Sequence, residues 1–328
     1  LIFTPQAKKF RGKQKWRFNP SNKPPILGFR IEDNKINLPF QYGRQHFPDK
    51  IIPNNSFISS SIKFTGSLFD HQTPLVKRAW YQLQQTGSVI LALHTGYGKT
   101  IVAAHLATYD PGLTLVLCES TILLKQWRQT FSKFTDAKIW VVGETIPEAA
   151  NVIICMDTRF HKLPLDYLMM IKTIIIDEAH CFPTPTRYPI FLKLEPKYVI
   201  AATATPNRSD GLFSAIEAIC SQHKISLKPS EVPKGANYDR GIASQNKIVK
   251  ISTKPFEVMK YETGIDVQIE QTKQGTPDWT KLVNSLCTHP DRNKLILQIV
   301  QMNLKQGFKI LILTWRENHA RQLEKSIA

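Results

Sequence analysis

One stretch of sequence decides the fold: Leu93-His94-Thr95-Gly96-Tyr97-Gly98-Lys99-Thr100. An apolar run from Ser88 to Leu93 precedes this loop, and an apolar helical stretch from Ile101 to Ala107 follows it. A phosphate-binding loop requires this strand-loop-helix context, because glycines let backbone N–H groups approach phosphate oxygens and a helix N-terminus favours negative charge. The loop therefore predicts a nucleoside triphosphate site.

The residues of this loop have separate predicted roles. Lys99 is expected to reach the β- and γ-phosphates, and the Thr100 hydroxyl is expected to bind Mg²⁺. The phosphate cradle itself would be formed by Thr95, Gly96, Tyr97 and Gly98. Leu93 stands where the first glycine of the common G-x-x-x-x-G-K-[ST] pattern would be. The alternative is an ordinary glycine-containing turn with an exposed lysine.

A second predicted strand ends in two adjacent acids, in Ile174-Ile175-Ile176-Asp177-Glu178-Ala179-His180. Asp177 is predicted to hold the metal ion directly or through water, and Glu178 to orient and deprotonate the attacking water. Positioning and charge neutralisation do most of the work in NTP hydrolysis, so this pair completes the chemistry that Lys99 begins. The alternatives are a solvated acidic turn, and His180 as an ordinary core histidine.

The stretch from about 65 to 220 alternates apolar strands with helices. Runs such as 113–118, 151–155, 173–176 and 198–202 are hydrophobic on both faces, which indicates a parallel sheet covered on both sides. Ligands of such sheets lie beyond the carboxyl ends of the strands, where the loop and the acid pair both fall. The predicted fold class is α/β, with a parallel sheet and helices on both faces.

Composition favours a polyanionic partner. The 328 residues contain 43 Lys and Arg against 26 Asp and Glu, a formal charge of +17, and 42% are hydrophobic. This excess favours a polyanionic partner, with nucleic acid first and a membrane surface second. No apolar run reaches the ~18 residues of a membrane span, so we expect no integral membrane protein, and the expected partner is nucleic acid rather than a membrane. Five cysteines without a C-x-x-C pair predict reduced thiols in an intracellular protein, and we expect no zinc site.

The chain is expected to have four parts. Residues 1–62 form a small basic β-rich module, 63–225 the ATPase domain, 226–290 a linker and irregular insertion, and 291–328 the incomplete start of a second α/β domain. The last part contains a predicted strand at 309–314. In the first part, basic residues interleaved with aromatics suit a phosphate backbone with stacked bases, and the candidates are Lys13, Lys15, Trp16 and Arg17. A solvated basic tail remains the alternative.

These motifs resemble those of superfamily 2 helicases and translocases. The resemblance implies that 63–225 is a RecA-like domain and that 291–328 begins a second RecA-like domain. Gly96 to Thr100 is similar to motif I, and Asp177-Glu178-Ala179-His180 to motif II. Phe69-Asp70-His71-Gln72 resembles the adenine-reading segment that precedes motif I. The stretches 115–120, 202–206 and 310–314 resemble motifs Ia, III and IV.

The resemblance implies further site residues. Gln72 would contact adenine, although its usual basic and aromatic neighbours are altered here. In motif Ia and the helix after it, the candidate nucleic-acid contacts are Glu119, Ser120 and Gln126. In motif III, Thr203 and Thr205 would couple hydrolysis to strand movement. The implied cofactors are ATP and Mg²⁺, and His180 joins the catalytic set with Lys99, Asp177 and Glu178.

The residues after motif III narrow the resemblance to one branch of the superfamily. Thr205-Pro206-Asn207-Arg208-Ser209-Asp210-Gly211 looks like the pattern of the XPB and UvsW branch, which includes helicases of large cytoplasmic DNA viruses. The resemblance implies an ATP-dependent DNA helicase or translocase serving viral transcription or replication. DNA is then favoured over RNA, with transcription-complex proteins as possible partners. In the family, a Gln-x-x-Gly-Arg pattern in the second domain supplies arginines that reach the γ-phosphate. No such pattern follows Thr314, so we expect residues 1–328 alone to hydrolyse ATP poorly.

Three alternatives remain open from the sequence. One is a motor of the same superfamily that moves on duplex without separating strands. Another is a nucleic-acid-binding subunit of a transcription complex that uses ATP as a switch. The third is a P-loop kinase, which the acid block at 177–180 and the Thr-Ala-Thr block at 203–205 argue against.

Overall fold

A computed structural model gives the architecture of the chain. It describes residues 1–3, 24–32, 34–51, 54–58, 60–94, 96–205, 210–220, 222–226, 243–244, 247–248, 261–265, 267–272, 275 and 277–327. The chain divides into two compact units, Leu1–Lys254 and Pro255–Ala328. None of the helices in the described ranges is long and apolar enough to cross a bilayer.

The N-terminal part is made of short strand pairs followed by a helix. Strand β1 (Ile2–Phe3) pairs antiparallel with β2 (Ile26–Leu27), and β3 (Arg30–Glu32) pairs antiparallel with β4 (Lys35–Asn37). Helix α1 (Phe40–His46) begins after Pro39, and a 3₁₀ turn follows at Pro48–Lys50. Lys13, Lys15, Trp16 and Arg17 lie outside the described residues.

The central element is a sheet of seven parallel strands. Its helices and strands in chain order are α2 (Thr73–Thr86), β5 (Ser88–Ala92), α3 (Lys99–Ala107), β6 (Leu113–Cys118), α4 (Thr121–Phe134), β7 (Ile139–Val141), β8 (Val152–Met156), α5 (Leu165–Met170), β9 (Ile171–Ile176), β10 (Tyr198–Thr203), α6 (Phe213–Cys220) and β11 (Lys224–Ile225). The strands lie in the order β11-β5-β10-β9-β6-β8-β7. Short 3₁₀ helices occur at Asp157–Lys162, Ala179–Cys181 and Tyr188–Lys193. The predicted α/β fold with a parallel sheet is confirmed.

The sheet is buried on both faces, and most residues of its central strands are apolar. Successive residues of β5 and β6 alternate between the two cores: Ile90 and Leu115 belong to one, and Val89 and Val116 to the other. All four are fully buried. Strand side chains point alternately to opposite faces, so a continuous apolar run fills the two layers of helices at once.

The strand order brings three motifs together. Strand β10 lies between β5 and β9, and it pairs with both in parallel. The phosphate loop follows β5, the Asp177-Glu178 pair follows β9, and Thr203 ends β10. Because parallel strands end at one edge of the sheet, the three motifs meet there.

The second unit is described mainly by helices α7 (Trp279–Thr288), α8 (Pro290–Lys305) and α9 (Glu317–Ile327), and a short pair β12 (Ala243–Ser244) and β13 (Lys247–Ile248) precedes it in the chain. Helix α7 lies inside the stretch expected to be irregular. Its N-cap Asp278 accepts a hydrogen bond from the Lys281 N–H, which is a helix-start signal in the sequence.

The prediction of a strand at 309–314 is wrong. These residues are not paired in a sheet, and Leu311 and Leu313 are 82% and 85% exposed. An apolar run forms a strand only beside a second strand that accepts and donates its backbone hydrogen bonds, and this run has no such neighbour in the described part of the chain.

Candidate functional site

The phosphate loop is built around two glycines with positive φ. Gly96 has φ 84° and Gly98 has φ 88°. The left-handed φ of Gly98 is strained for any residue with a Cβ, and a Cβ there would also lie 2.6 Å from the Gln72 side-chain nitrogen and displace it. Gly98 is also the N-cap of α3 and has no side chain that could accept hydrogen bonds from the first N–H groups of the helix. Backbone donors and a helix N-terminus therefore converge in front of Lys99. Thr95 lies outside the described residues.

Gln72 and Tyr97 support this loop from within the protein. The Gln72 side chain is 1% exposed; it accepts from the Phe69 N–H at 3.0 Å and donates to the Tyr97 carbonyl at 3.0 Å. The Tyr97 side chain is also buried, and its hydroxyl donates to the His71 carbonyl at 2.8 Å. Contact of Gln72 with adenine stays a prediction, because in this structure its amide ties the loop to the segment before α2.

Asp177 lies at the end of β9 and is 5% exposed. Its Oδ2 accepts the Trp127 indole N–H at 2.8 Å, and its Oδ1 accepts the Glu178 N–H at 3.0 Å. Burial raises the pKa of Asp177, while the hydrogen bond from Trp127 and the positive charge of Lys99 act in the opposite direction. Lys99 begins α3 directly after the loop that follows β5, so it lies at the same edge of the sheet as the acid pair.

Glu178 adopts a left-handed backbone with φ 46°, one of the two described residues other than glycine that do so. Such a conformation is costly for a residue with a Cβ, and it turns the side chain away from the direction of the strand. Burial raises the pKa of Glu178, and Lys99 opposes the shift. The site thus keeps a carboxylate of increased basicity beside the metal-binding candidate.

A hydrogen-bonded chain links motif II to motif III. His180 Nδ1 lies 3.0 Å from Thr203 Oγ1 and 3.3 Å from Glu178 Oε2. Thr203 is fully buried, and its hydroxyl also accepts the Thr205 N–H at 3.1 Å. The residues that follow, 206–209, lie outside the described part of the chain. The end of β10 is therefore bonded directly to the acid block.

The three candidates for nucleic-acid contact in motif Ia and helix α4 each bond within the protein. Glu119 Oε2 lies 3.3 Å from Arg187 Nη1, and the Ser120 hydroxyl caps α4 by accepting the Leu123 N–H at 3.3 Å. Gln126 donates to Thr100 Oγ1 at 3.2 Å. Their contact with a strand stays a prediction, and Gln126 lies beside the candidate metal ligand Thr100.

Two residues of the site are absent from the sequence-based assignment. Trp127 is fully buried and bonds Asp177, and Arg187 bonds Glu119 and Asp157. Trp127 directly follows the candidate Gln126, yet nothing in the sequence pairs it with a residue fifty positions later. Arg187 falls outside the short motifs altogether.

The residues present fit Mg²⁺ with a bound triphosphate. Mg²⁺ is commonly held by one or two carboxylates together with substrate phosphates, and Thr100 and Asp177 would supply the protein oxygens. The positive-φ glycines and the uncapped start of α3 would hold the phosphates. Within the described residues, no group of three or more His, Cys, Asp or Glu side chains is arranged to hold a metal ion.

Comparison with known proteins agrees with this geometry. The family described as "Type III restriction enzyme, res subunit" matches residues 65–208, which contain the loop, the acid pair and Thr203. The putative helicase 161L of Invertebrate iridescent virus 6 is 26% identical over 97% of this chain and 69% of its own length. The putative helicase 055L of Frog virus 3 is 23% identical over 90% of this chain and 64% of its own.

A cellular relative is similar over a shorter part. The DNA 3'-5' translocase XPB2 of Sulfurisphaera tokodaii is 29% identical over 53% of this chain and 40% of its own length. The chain thus spans about two thirds of the length of the two viral relatives and 40% of the length of the archaeal relative. The motif order, the strand-edge geometry and these similarities together support the resemblance to superfamily 2 helicases of the XPB and UvsW branch.

Proposed function

We propose that the protein is an ATP-dependent DNA helicase or translocase that couples ATP hydrolysis to movement along a strand, in viral transcription or replication. One observation carries the proposal. The Lys99 loop, the Asp177-Glu178 pair and Thr203 end three neighbouring parallel strands, β5, β9 and β10. The residues proposed to bind phosphate, to activate water and to relay the state of the site therefore lie at one edge of the sheet.

Each residue has a distinct role in this proposal. Lys99 and the loop N–H groups bind and orient the triphosphate, and Thr100 and Asp177 hold the metal ion. When bound, Mg²⁺ neutralises negative charge on the phosphates. Glu178 accepts a proton from the attacking water, a task that its raised pKa favours. His180 and Thr203 carry the state of this site to the end of β10.

DNA is the preferred substrate in this proposal. The pattern after motif III and the similarity to an archaeal protein named a DNA translocase support it. The formal charge of +17 supports contact with a phosphate backbone, which gives binding that depends steeply on salt and little on sequence.

A non-unwinding duplex translocase is the second candidate. The matched family is described by a restriction-enzyme subunit, and the archaeal relative is named a translocase rather than a helicase. A strand-displacement assay run beside a triplex-displacement assay separates the two. A helicase separates a partial duplex, whereas a translocase releases only the third strand.

ATP turnover by the full-length protein tests the proposal. Phosphate release is measured alone and with single-stranded DNA, duplex DNA or RNA, and Lys99→Ala is the control that removes the phosphate-binding amine. The proposal expects turnover that DNA stimulates more than RNA does and that Lys99→Ala abolishes. Equal turnover in the Lys99→Ala protein, or no stimulation by any nucleic acid, would contradict it.

A further inference from the structure

One arginine joins three separate parts of the strand edge. Arg187 Nε lies 2.5 Å from Asp157 Oδ2, and Arg187 Nη1 lies 3.3 Å from Glu119 Oε2. The same Nη1 donates to the Cys181 carbonyl at 3.1 Å. The backbone N–H of Arg187 donates to the Thr184 hydroxyl, which fixes the start of the side chain. A guanidinium can hold several acceptors at once because its donors form a rigid fork.

Glu119 and Asp157 are neighbours at the edge of the sheet. They directly follow β6 and β8, which pair in parallel with Cys118 opposite Met156. Adjacent strands lie about 4.8 Å apart, so two carboxylates on these ends repel each other unless a cation lies between them. The Asp157 side chain is only 4% exposed, and a charge buried to that degree requires a partner. Arg187 supplies this partner.

The third contact leads to the catalytic block. Cys181 ends the 3₁₀ helix Ala179–Cys181, and its N–H donates to the Glu178 carbonyl at 2.8 Å. Arg187 is therefore linked to Glu178 through one residue, Cys181, and two hydrogen bonds. A movement of the turns after β6 and β8 changes the position of the guanidinium, and with it the backbone that orients Glu178.

The turn after β6 that Arg187 holds contains Glu119 and Ser120, two of the residues proposed to meet nucleic acid, and the turn with Asp157 lies beside it. Unpaired carboxylates at that edge would repel the phosphate backbone, and pairing with Arg187 offsets their charge. We infer that Arg187 is a positioning residue that couples occupancy of the strand-binding edge to Glu178, through Glu119 and Asp157 on one side and the Cys181 carbonyl on the other. This inference rests on the proposed function, because it concerns the stimulation of ATP turnover by nucleic acid.

The test compares full-length wild type with Arg187→Lys, which keeps one positive charge but cannot hold all three acceptors. ATP turnover is measured with and without a single-stranded DNA oligonucleotide, and DNA binding is measured by fluorescence anisotropy. We expect the ratio of stimulated to unstimulated turnover to fall about tenfold, a usual size for coupling between two sites. The matched control is Arg128→Gln, which removes an exposed arginine paired with Glu144 at 2.8 Å and is expected to keep the wild-type ratio.

A second variant separates coupling from folding. Arg187→Gln alone leaves Asp157 as an uncompensated buried charge, whereas Arg187→Gln with Asp157→Asn removes both charges. We expect the double variant to regain the melting temperature that Arg187→Gln loses and still to show the reduced ratio. The inference is overturned if Arg187→Lys keeps the wild-type ratio, or if regained thermal stability also restores the ratio. If single-stranded DNA does not stimulate ATP turnover by the wild-type protein, the proposed function itself is overturned, before any variant is compared.

Discussion

Trp127 donates its indole N–H to Asp177 Oδ2 at 2.8 Å, and both side chains are buried. The preceding residue on helix α4, Gln126, donates to Thr100 Oγ1 at 3.2 Å. Two consecutive residues of one helix thus contact both residues proposed to hold the metal ion. The helix starts at its N-cap Ser120, next to the proposed strand-binding edge, so α4 connects that edge to the ATP site.

Trp127→Phe tests this connection. Phenylalanine keeps the aromatic packing but removes the donor, which leaves a buried carboxylate oxygen of Asp177 without this partner. We expect the free energy of unfolding to fall by about 1–3 kcal/mol, the range for a lost hydrogen bond to a charged group, and Mg²⁺-dependent nucleotide binding to weaken. Urea denaturation and calorimetric titration of the nucleotide with and without Mg²⁺ measure the two effects.

Trp140→Phe is the matched control for that variant. Trp140 is also buried, but its indole N–H donates to the Glu144 carbonyl at 3.3 Å, away from the ATP site. We expect a smaller loss of stability and unchanged nucleotide affinity. Equal Mg²⁺-dependent affinity in both variants would contradict the role given to Trp127.

Asp177→Asn is expected to change how stability depends on pH. Burial raises the pKa of Asp177 above its ordinary value of 3.8, so the native state favours the protonated form. The stability that this preference gives is present below pH 3.8 and is lost as the pH rises through the raised pKa. When both proteins are measured without nucleotide, Asp177→Asn should therefore gain ~1 kcal/mol of stability relative to wild type as the pH rises from 3.8 through the raised pKa. Chemical denaturation at a series of pH values measures it, and a constant difference would contradict burial as the cause.

Glu178→Gln is expected to bind ATP and fail to hydrolyse it. Glutamine keeps the size of the side chain but cannot accept the proton of the attacking water, and loss of a general base lowers a rate by about 10²–10⁴-fold. Single-turnover phosphate release and equilibrium binding of ATP separate the two effects in the full-length protein. An unchanged hydrolysis rate would show that another group activates the water.

Thr203→Val tests the link between hydrolysis and movement. Valine fills the same space, but the Thr205 N–H loses its acceptor and His180 loses its partner on β10. We expect the amount of strand displaced or distance moved per ATP to fall about tenfold, in line with the ~1–3 kcal/mol cost of an unsatisfied buried group.

The control for Thr203→Val is Thr114→Val. Thr114 is a buried threonine of β6, and its hydroxyl has no hydrogen-bond partner among the described residues. This variant should keep the wild-type amount of movement per ATP. The same loss in both variants would indicate a general effect of removing a hydroxyl from the sheet.

Sequence patterns predicted the parts of the fold that depend on local chemistry. The runs Leu113–Cys118 and Tyr198–Thr203 are apolar except for Thr114 and Thr203 because both faces of the sheet are covered, so their strands could be recognised directly. The phosphate loop and the Asp177-Glu178 pair are contiguous in the chain, and their residue types follow from phosphate and metal chemistry. Their presence at neighbouring strand ends follows from the strand order.

Contacts between distant residues could not be predicted in the same way. The bond from Trp127 to Asp177 and the pairing of Arg187 with Glu119 span 50 and 68 residues, and they exist only because β9 and β6 are neighbours in the sheet. The strand predicted at 309–314 failed for the complementary reason. Its apolar residues satisfy the strand pattern, but pairing depends on a second strand that the pattern does not contain.

The central claim is that a triphosphate binds where Lys99 meets Asp177 and Glu178. A crystal structure of the protein with a nonhydrolysable ATP analogue and Mg²⁺ tests it most directly. The account predicts phosphates on the loop of Gly96 and Gly98, with Lys99 in contact with them and a metal ion between Thr100 and Asp177. An empty loop at saturating nucleotide, or a nucleotide bound elsewhere with Lys99 distant from both carboxylates, would contradict it.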